Sequence, residues 1–172
     1  MKEIILGIGN ILKGDDGVGI YIAERLNKCL QHIKNEPEQA NSVGVEEAMV
    51  IDCGTAPENY TSIIRKHNPD RLILVDAADM GLSPGSYRII PPEKIAVMHF
   101  STHDVPLSIF ISFASESCGD IVLIGIQPDK MKLGTILSRT VRRSGDQVAN
   151  LIMEKRLNEI EVLKTQASDT KI

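Results

Sequence analysis

Aromatic residues make up only 3% of the chain, and tryptophan is absent. That excludes the stacking platforms on which single-stranded nucleic acids and sugar rings are held. A basic stripe is lacking as well. With 19 Lys and Arg against 23 Asp and Glu, the formal charge is -4, which gives no footprint for a phosphate backbone. No apolar run approaches the ~18 residues of a membrane span, and no basic leader precedes an apolar stretch at the amino terminus. The cysteines, Cys29, Cys53 and Cys118, are odd in number, widely spaced and form no CxxC pair. They read as reduced thiols of a cytoplasmic protein, not as a disulfide frame or a structural zinc site.

What is present suits one domain with a real core. The chain has 172 residues, of which 42% are hydrophobic. Strand-like runs recur at 3–9, 47–52, 71–77, 86–90 and 120–126, several of them nearly continuous in apolar residues, as strands covered on both faces are. Between them lie helical periods. Val18, Ile22, Leu26, Leu30 and Ile33 make one stripe, Ile63 and Ile64 belong to a second helix, and Leu107, Phe110, Ile111 and Ala114 to a third. A long helix is expected from about 138 to 163, with Val141, Val148, Leu151, Ile152 and Leu157 on its buried side. Alternating strands and helices call for an α/β fold with a mostly parallel sheet of about five strands. The run at 86–90 follows a Gly/Pro turn and is the candidate antiparallel member. The polar stretch 34–46 reads as a surface loop. Residues 1–163 are expected to form a single domain, with 164–172 a disordered tail.

Function in such a fold gathers at the carboxyl ends of the strands. After the first strand comes "GIGNILKGDDGVG", which opens like a nucleotide-binding turn and then departs from one. The dinucleotide fingerprint needs a third glycine where Leu12 stands. Gly9 to Gly14 has phosphate-loop spacing, but Asp15 and Asp16 replace the Lys-Ser/Thr pair and would repel phosphate. A cation is the ligand to consider first. One of the two carboxylates has an ordinary use as the N-cap of the following helix, which leaves the other in surplus. Asp76 ends the third strand and could equally bond to its own turn. Thr55-Ala56-Pro57-Glu58 reads as a capping box, and Cys53 as a small buried hydrophobe. His32 and His67 read as surface residues. His103 differs, because it precedes a helix amino terminus whose dipole favours the neutral, metal-ligating imidazole. Two Asp and one His at a sheet edge form a mixed O/N donor set suited to Zn, Ni, Mn or Fe. Three ligands with open positions describe a site that meets a substrate.

Together, "GIGNILKGDDGVG", "DCGTAPEN", "ILVDAADMGLSPG", "STHDVPL" and "IGIQPD" resemble the hydrogenase maturation endopeptidases. The nearest branch is the one serving formate-hydrogenlyase-type and related [NiFe] hydrogenases. The similarity runs from Met1 to about residue 155, with the motifs in family order. It implies a three-layer αβα sandwich and an aspartic-type endopeptidase. Such an enzyme removes the C-terminal extension of the hydrogenase large-subunit precursor after nickel insertion. Carried over by position, the nickel-sensing residues are Asp16, Asp76 and His103, with Asp16 and Asp76 as the catalytic carboxylates. The glycine turn would then bring backbone close to a bound polypeptide.

On this reading the nickel arrives with the substrate, no tightly held metal of the enzyme's own is expected, and the protein is a cytoplasmic monomer. Two rivals use the same residues. A metallohydrolase would keep a resident metal, and a non-catalytic nickel-binding assembly factor would release the precursor uncut. A nucleotide-binding domain is disfavoured by Leu12 and Asp15.

Overall fold

Strand β1 (Glu3–Gly7) is buried along its whole length because helices cover it from both sides. The computed structural model describes residues 1–35, 48–95, 98 and 106–164. Around β1 lie β2 (Ala48–Asp52), β3 (Arg71–Ala77), β4 (Tyr87–Ile89) and β5 (Asp120–Ile126), in the order β2-β1-β3-β5-β4. All pairings are parallel except β4 on β5, where Arg88 faces Gly125 antiparallel. The five expected strands, and the one expected to run antiparallel, are therefore present, with β1 ending at Gly7 rather than at residue 9.

Alternation along the strands divides the core into two layers. Ile5, Ile73, Val75, Ile124 and Ile126 pack with α1 (Val18–Asn35) and α5 (Arg139–Met153). On the other face, Ile4, Leu6, Leu72, Leu74 and Leu123 pack with α2 (Thr61–His67), the short α3 (Pro92–Ile95) and α4 (Leu107–Ala114). This is an αβα sandwich. Helix α1 sits directly on the strands: a Cβ at Gly19 would stand 2.2 Å from the Ile8 carbonyl oxygen and 2.4 Å from that of Val75. Only glycine permits that approach, and it draws the start of α1 down onto the ends of β1 and β3.

Three expectations need correction. The last helix stops at Met153, not near 163. Lys155 takes a left-handed φ of 55°, and the N–H groups of Arg156 and Lys155 bond back to the carbonyls of Leu151 (2.8 Å) and Ile152 (3.1 Å), which closes the helix. The chain then returns along the edge strand, where Leu163 N donates to the Ile89 carbonyl at 2.8 Å. The loop expected at 34–46 begins later, since α1 runs through Asn35; the remainder lies outside the described residues, as does the expected tail beyond Lys164. The capping box at 55–58 is displaced by one residue. Ala56 occupies the N-cap of the turn Pro57–Tyr60, with Pro57 at its first position and no side-chain cap bond. Among the described residues no helix is long and apolar enough to cross a membrane.

Candidate active site

Beyond Gly7 the chain folds back over itself. Gly9 has φ 145°, and a Cβ there would lie 1.8 Å from the carbonyl oxygen of Asp16. A side chain is thus impossible at this point for two reasons, and the loop can close on the turn that follows. Asn10 N donates to the Asp16 carbonyl (3.2 Å), and Asp16 N donates to that of Lys13 (3.3 Å). Gly9 N also donates to the Gly54 carbonyl at 2.9 Å, which ties the loop to the end of β2. The 3-10 turn Gly14–Gly17 that results runs straight into α1 and packs against β3.

This turn holds Asp15 and Asp16, both buried, and the two differ in use. Asp15 does not cap α1: the N-cap of the turn is Lys13, without a side-chain bond. The Asp15 carboxylate reaches away to the segment after β5. It accepts from the N–H groups of Asp129 (2.8 Å), Lys130 (2.9 Å) and Ser138 (2.6 Å), and from the Ser138 hydroxyl (3.0 Å). Four charge-assisted bonds satisfy a buried carboxylate without a cation. Ser138 in turn caps α5, accepting from Val141 N at 3.4 Å. A serine ahead of an amphipathic helix was a readable signal for that cap; its partner Asp15, more than a hundred residues away, was not.

Asp16 lies one residue further into the same turn, and Asp76 is the last residue but one of β3, opposite Gly125 of β5. Both are at most 1% exposed. The turn on β3 brings these two sequence-selected carboxylates to the same edge of the sheet. His103, the third, lies outside the described residues. Among the described residues no group of three His, Cys, Asp or Glu converges. His32 and His67 are exposed, as expected.

Gln127, in the IGIQPD motif just past the end of β5, is a further organiser. Its buried amide oxygen accepts from Met80 N (2.7 Å) and Leu82 N (3.2 Å), and its Nε2 donates to Asp79 at 3.1 Å. That bond, reinforced by Gly81 N, holds the Asp79 carboxyl below the usual carboxylate range. The loop leaving Asp76 is thereby fixed from β5. Cys53, behind the edge, is buried as expected, and burial together with Asp52 and Glu58 pushes its thiol up to about 12. A groove of about 460 Å³ opens between the Gly9–Leu12 loop and Asp52, Gly54 and Thr55, large enough for a few residues of extended chain.

Two buried carboxylates at one sheet edge can take a proton from water or offer oxygen to a metal, and the Gly9 loop of the groove packs against the Asp16 backbone. The HycI hydrogenase maturation protease model matches residues 20–155, a span that includes Asp76 and starts just after the Asp15–Asp16 turn. The chain is 42% identical over 130 residues to the hydrogenase 3 maturation protease of Escherichia coli K12, covering 75% of this chain and 74% of that protein. It superposes on the solution structure of the endopeptidase HycI from Escherichia coli with a TM-score of 0.78, at 35% identity, covering 97% of this chain and 99% of that one. The crystal structure of the [NiFe] hydrogenase maturation protease HycI from Thermococcus kodakarensis KOD1 gives a TM-score of 0.73, at 33% identity over 91% of this chain and 92% of that one. By the stretch of chain matched, the identity to its relatives and the superposed fold, this protein belongs to the hydrogenase maturation protease family.

Proposed function

We propose that the chain is an aspartic-type endopeptidase that removes the C-terminal extension of a [NiFe] hydrogenase large-subunit precursor once nickel has been inserted. The observation that carries this reading is the pair Asp16 and Asp76, two buried carboxylates at one sheet edge, one from the 3-10 turn after β1 and one from the end of β3. Nickel is part of the substrate. Asp16, Asp76 and His103 supply oxygen and nitrogen donors to its open positions, which orients the attached peptide. In the cleavage step, water adds to the scissile carbonyl carbon and gives its proton to one of the two carboxylates. The same proton passes to the leaving nitrogen as the C–N bond breaks. The donor set holds no cysteine cluster, so the enzyme has no claim on a metal of its own. It works as a monomer in the cytoplasm, where its three free thiols stay reduced.

The experiment mixes purified protein with nickel-loaded and nickel-free precursor, free metal being chelated, and reads product masses. Cleavage of the loaded form alone is expected. Equal cleavage of both would show that the carboxylates do not read nickel, and no cleavage of either would favour a non-catalytic assembly factor.

A further inference from the structure

Apolar side chains left in water are concentrated at one place. Of the nine large hydrophobic residues exposed among the described residues, five belong to two loops: Ile11 and Leu12 on one, Met131, Leu133 and Ile136 on the other. Ile136 is 87% exposed, Leu133 69%, Ile11 65% and Leu12 62%. The two loops form one surface. Gly134 N donates to the Leu12 carbonyl (2.9 Å), Gly14 N to that of Thr135 (3.1 Å), and Asp15 N to that of Lys130 (2.9 Å). Lys13 and Thr135 pair as a parallel bridge. These hydrogen bonds hold solvent-facing hydrophobes in fixed positions, an arrangement that gains the fold nothing and suits a contact surface.

We infer that this platform docks the folded body of the protein substrate. The inference rests on the proposed function and deepens it. Continuity is the first argument. Ile11 and Leu12 line the groove beside Asp52 and Gly54, so the platform runs into the carboxyl edge of the sheet without a break. Registration is the second. The Asp15 carboxylate binds Asp129, Lys130 and Ser138, so the loop bearing Leu133 and Ile136 is clamped to the residue next to Asp16. A protein seated on the platform is thereby positioned relative to Asp16. Charge is the third. Although the chain is negative overall, three exposed cations of the segment, Lys130, Lys132 and Arg139, outnumber its one exposed acid, Asp129, around the platform. The partner surface should therefore be apolar with an acidic rim. A second copy of this chain would set these cations against each other.

The test is the double variant Leu133→Glu/Ile136→Glu in the full chain, with Phe113→Glu, an exposed hydrophobe near the end of α4, as control. Precursor affinity, measured by calorimetry with nickel-loaded precursor, is expected to weaken about tenfold or more in the double variant. In processing, KM should rise to match while kcat stays within about twofold. Phe113→Glu should behave as wild type in both, and all three proteins should melt alike. Unchanged affinity in the double variant would overturn the inference. So would a wild-type dimer that the double variant dissolves without loss of precursor affinity. If the wild type binds precursor through the platform but cuts neither form, the functional reading fails while the docking surface stands.

Discussion

Glu3, Arg71 and Asp120 open β1, β3 and β5 side by side, and the Arg71 guanidinium reaches both acids at 3.4 Å. The same strands lead, at their other ends, to Asp15, Asp16 and Asp76. At the amino edge acid alternates with base: Glu3 is buried, but it sits against an arginine, and that arginine and Asp120 are 28% and 63% exposed, so water shares the work. At the carboxyl edge three carboxylates are buried. Ionised carboxylates in a low-dielectric setting are costly unless donors surround them, and a fold selected only for stability has a cheaper solution available one strand length away. Asp15 shows how such a cost is offset, with four donors from a distant segment. Asp16 and Asp76 belong to neither apolar layer, and under the proposed function their carboxylates carry the chemistry.

The largest expected effect separates these two residues from every other acid of the sheet. Asp16→Asn and Asp76→Asn keep shape and lose charge and basicity, so each should slow precursor processing by about 10²–10⁴-fold. The melting temperature should move by only a few degrees. Wild-type processing by the Asp76 variant, measured by product mass, would sink the proposed roles of both.

Next comes the crossed comparison of the edges. Asp15→Ala strands the N–H groups of Asp129, Lys130 and Ser138 and should cost about 2–4 kcal/mol, more than the ~1 kcal/mol of an ordinary helix cap. Processing should fall less than in Asp16→Asn, because the turn is loosened while the reacting groups remain. Arg71→Met at the amino edge should cost about 1 kcal/mol or less and leave processing intact. Urea unfolding alongside product assays reads both. If Asp15→Ala were as stable as wild type, the clamp on the 129–138 segment would not be what holds it.

How much of this was legible beforehand depends on how local the cause is. The strands at 71–77 and 120–126 are found where their apolar runs put them, because burial on both faces leaves an unbroken signature. The end of α2 is also local, with Asn68 in the left-handed region and Pro69 after it. The end of α5 was hidden, since Lys155 occupies the left-handed position where glycine would have announced a stop. In the site, strand ends point to Asp76 and to the pair Asp15 and Asp16, a topological rule that needs no contacts, while the family resemblance alone separates Asp16 from Asp15. The separate use of Asp15 was invisible, because its partners stand 114 to 123 residues away. The same holds for Gln127, whose amide fixes a loop 45 to 48 residues earlier.

The smallest effect compares thiols at the two edges. Cys118 precedes β5 at the amino edge, and burial with help from Asp120 raises its pKa; Cys53 follows β2 at the carboxyl edge, and burial with Asp52 and Glu58 carries it to about 12. The thiolate is the nucleophile, so iodoacetamide at pH 8 should modify Cys53 at least about tenfold more slowly than Cys118. The sign for stability follows from the raised value. In the unfolded chain a thiol ionises near ~8.5, so between that pH and about 12 the folded state binds the extra proton. The contribution of Cys53 is complete below pH ~8.5 and fades as pH rises through that window, by at most ~1.4 kcal/mol per pH unit. Cys53→Ala should flatten this alkaline decline while leaving the smaller part due to Cys118. Peptide mass mapping after timed alkylation, with urea unfolding at pH 8 and pH 10, gives both readings. Equal alkylation of the two thiols in the folded protein would mean that the carboxyl edge opens readily, and that the burial of Asp16 and Asp76 is as transient as that of Cys53.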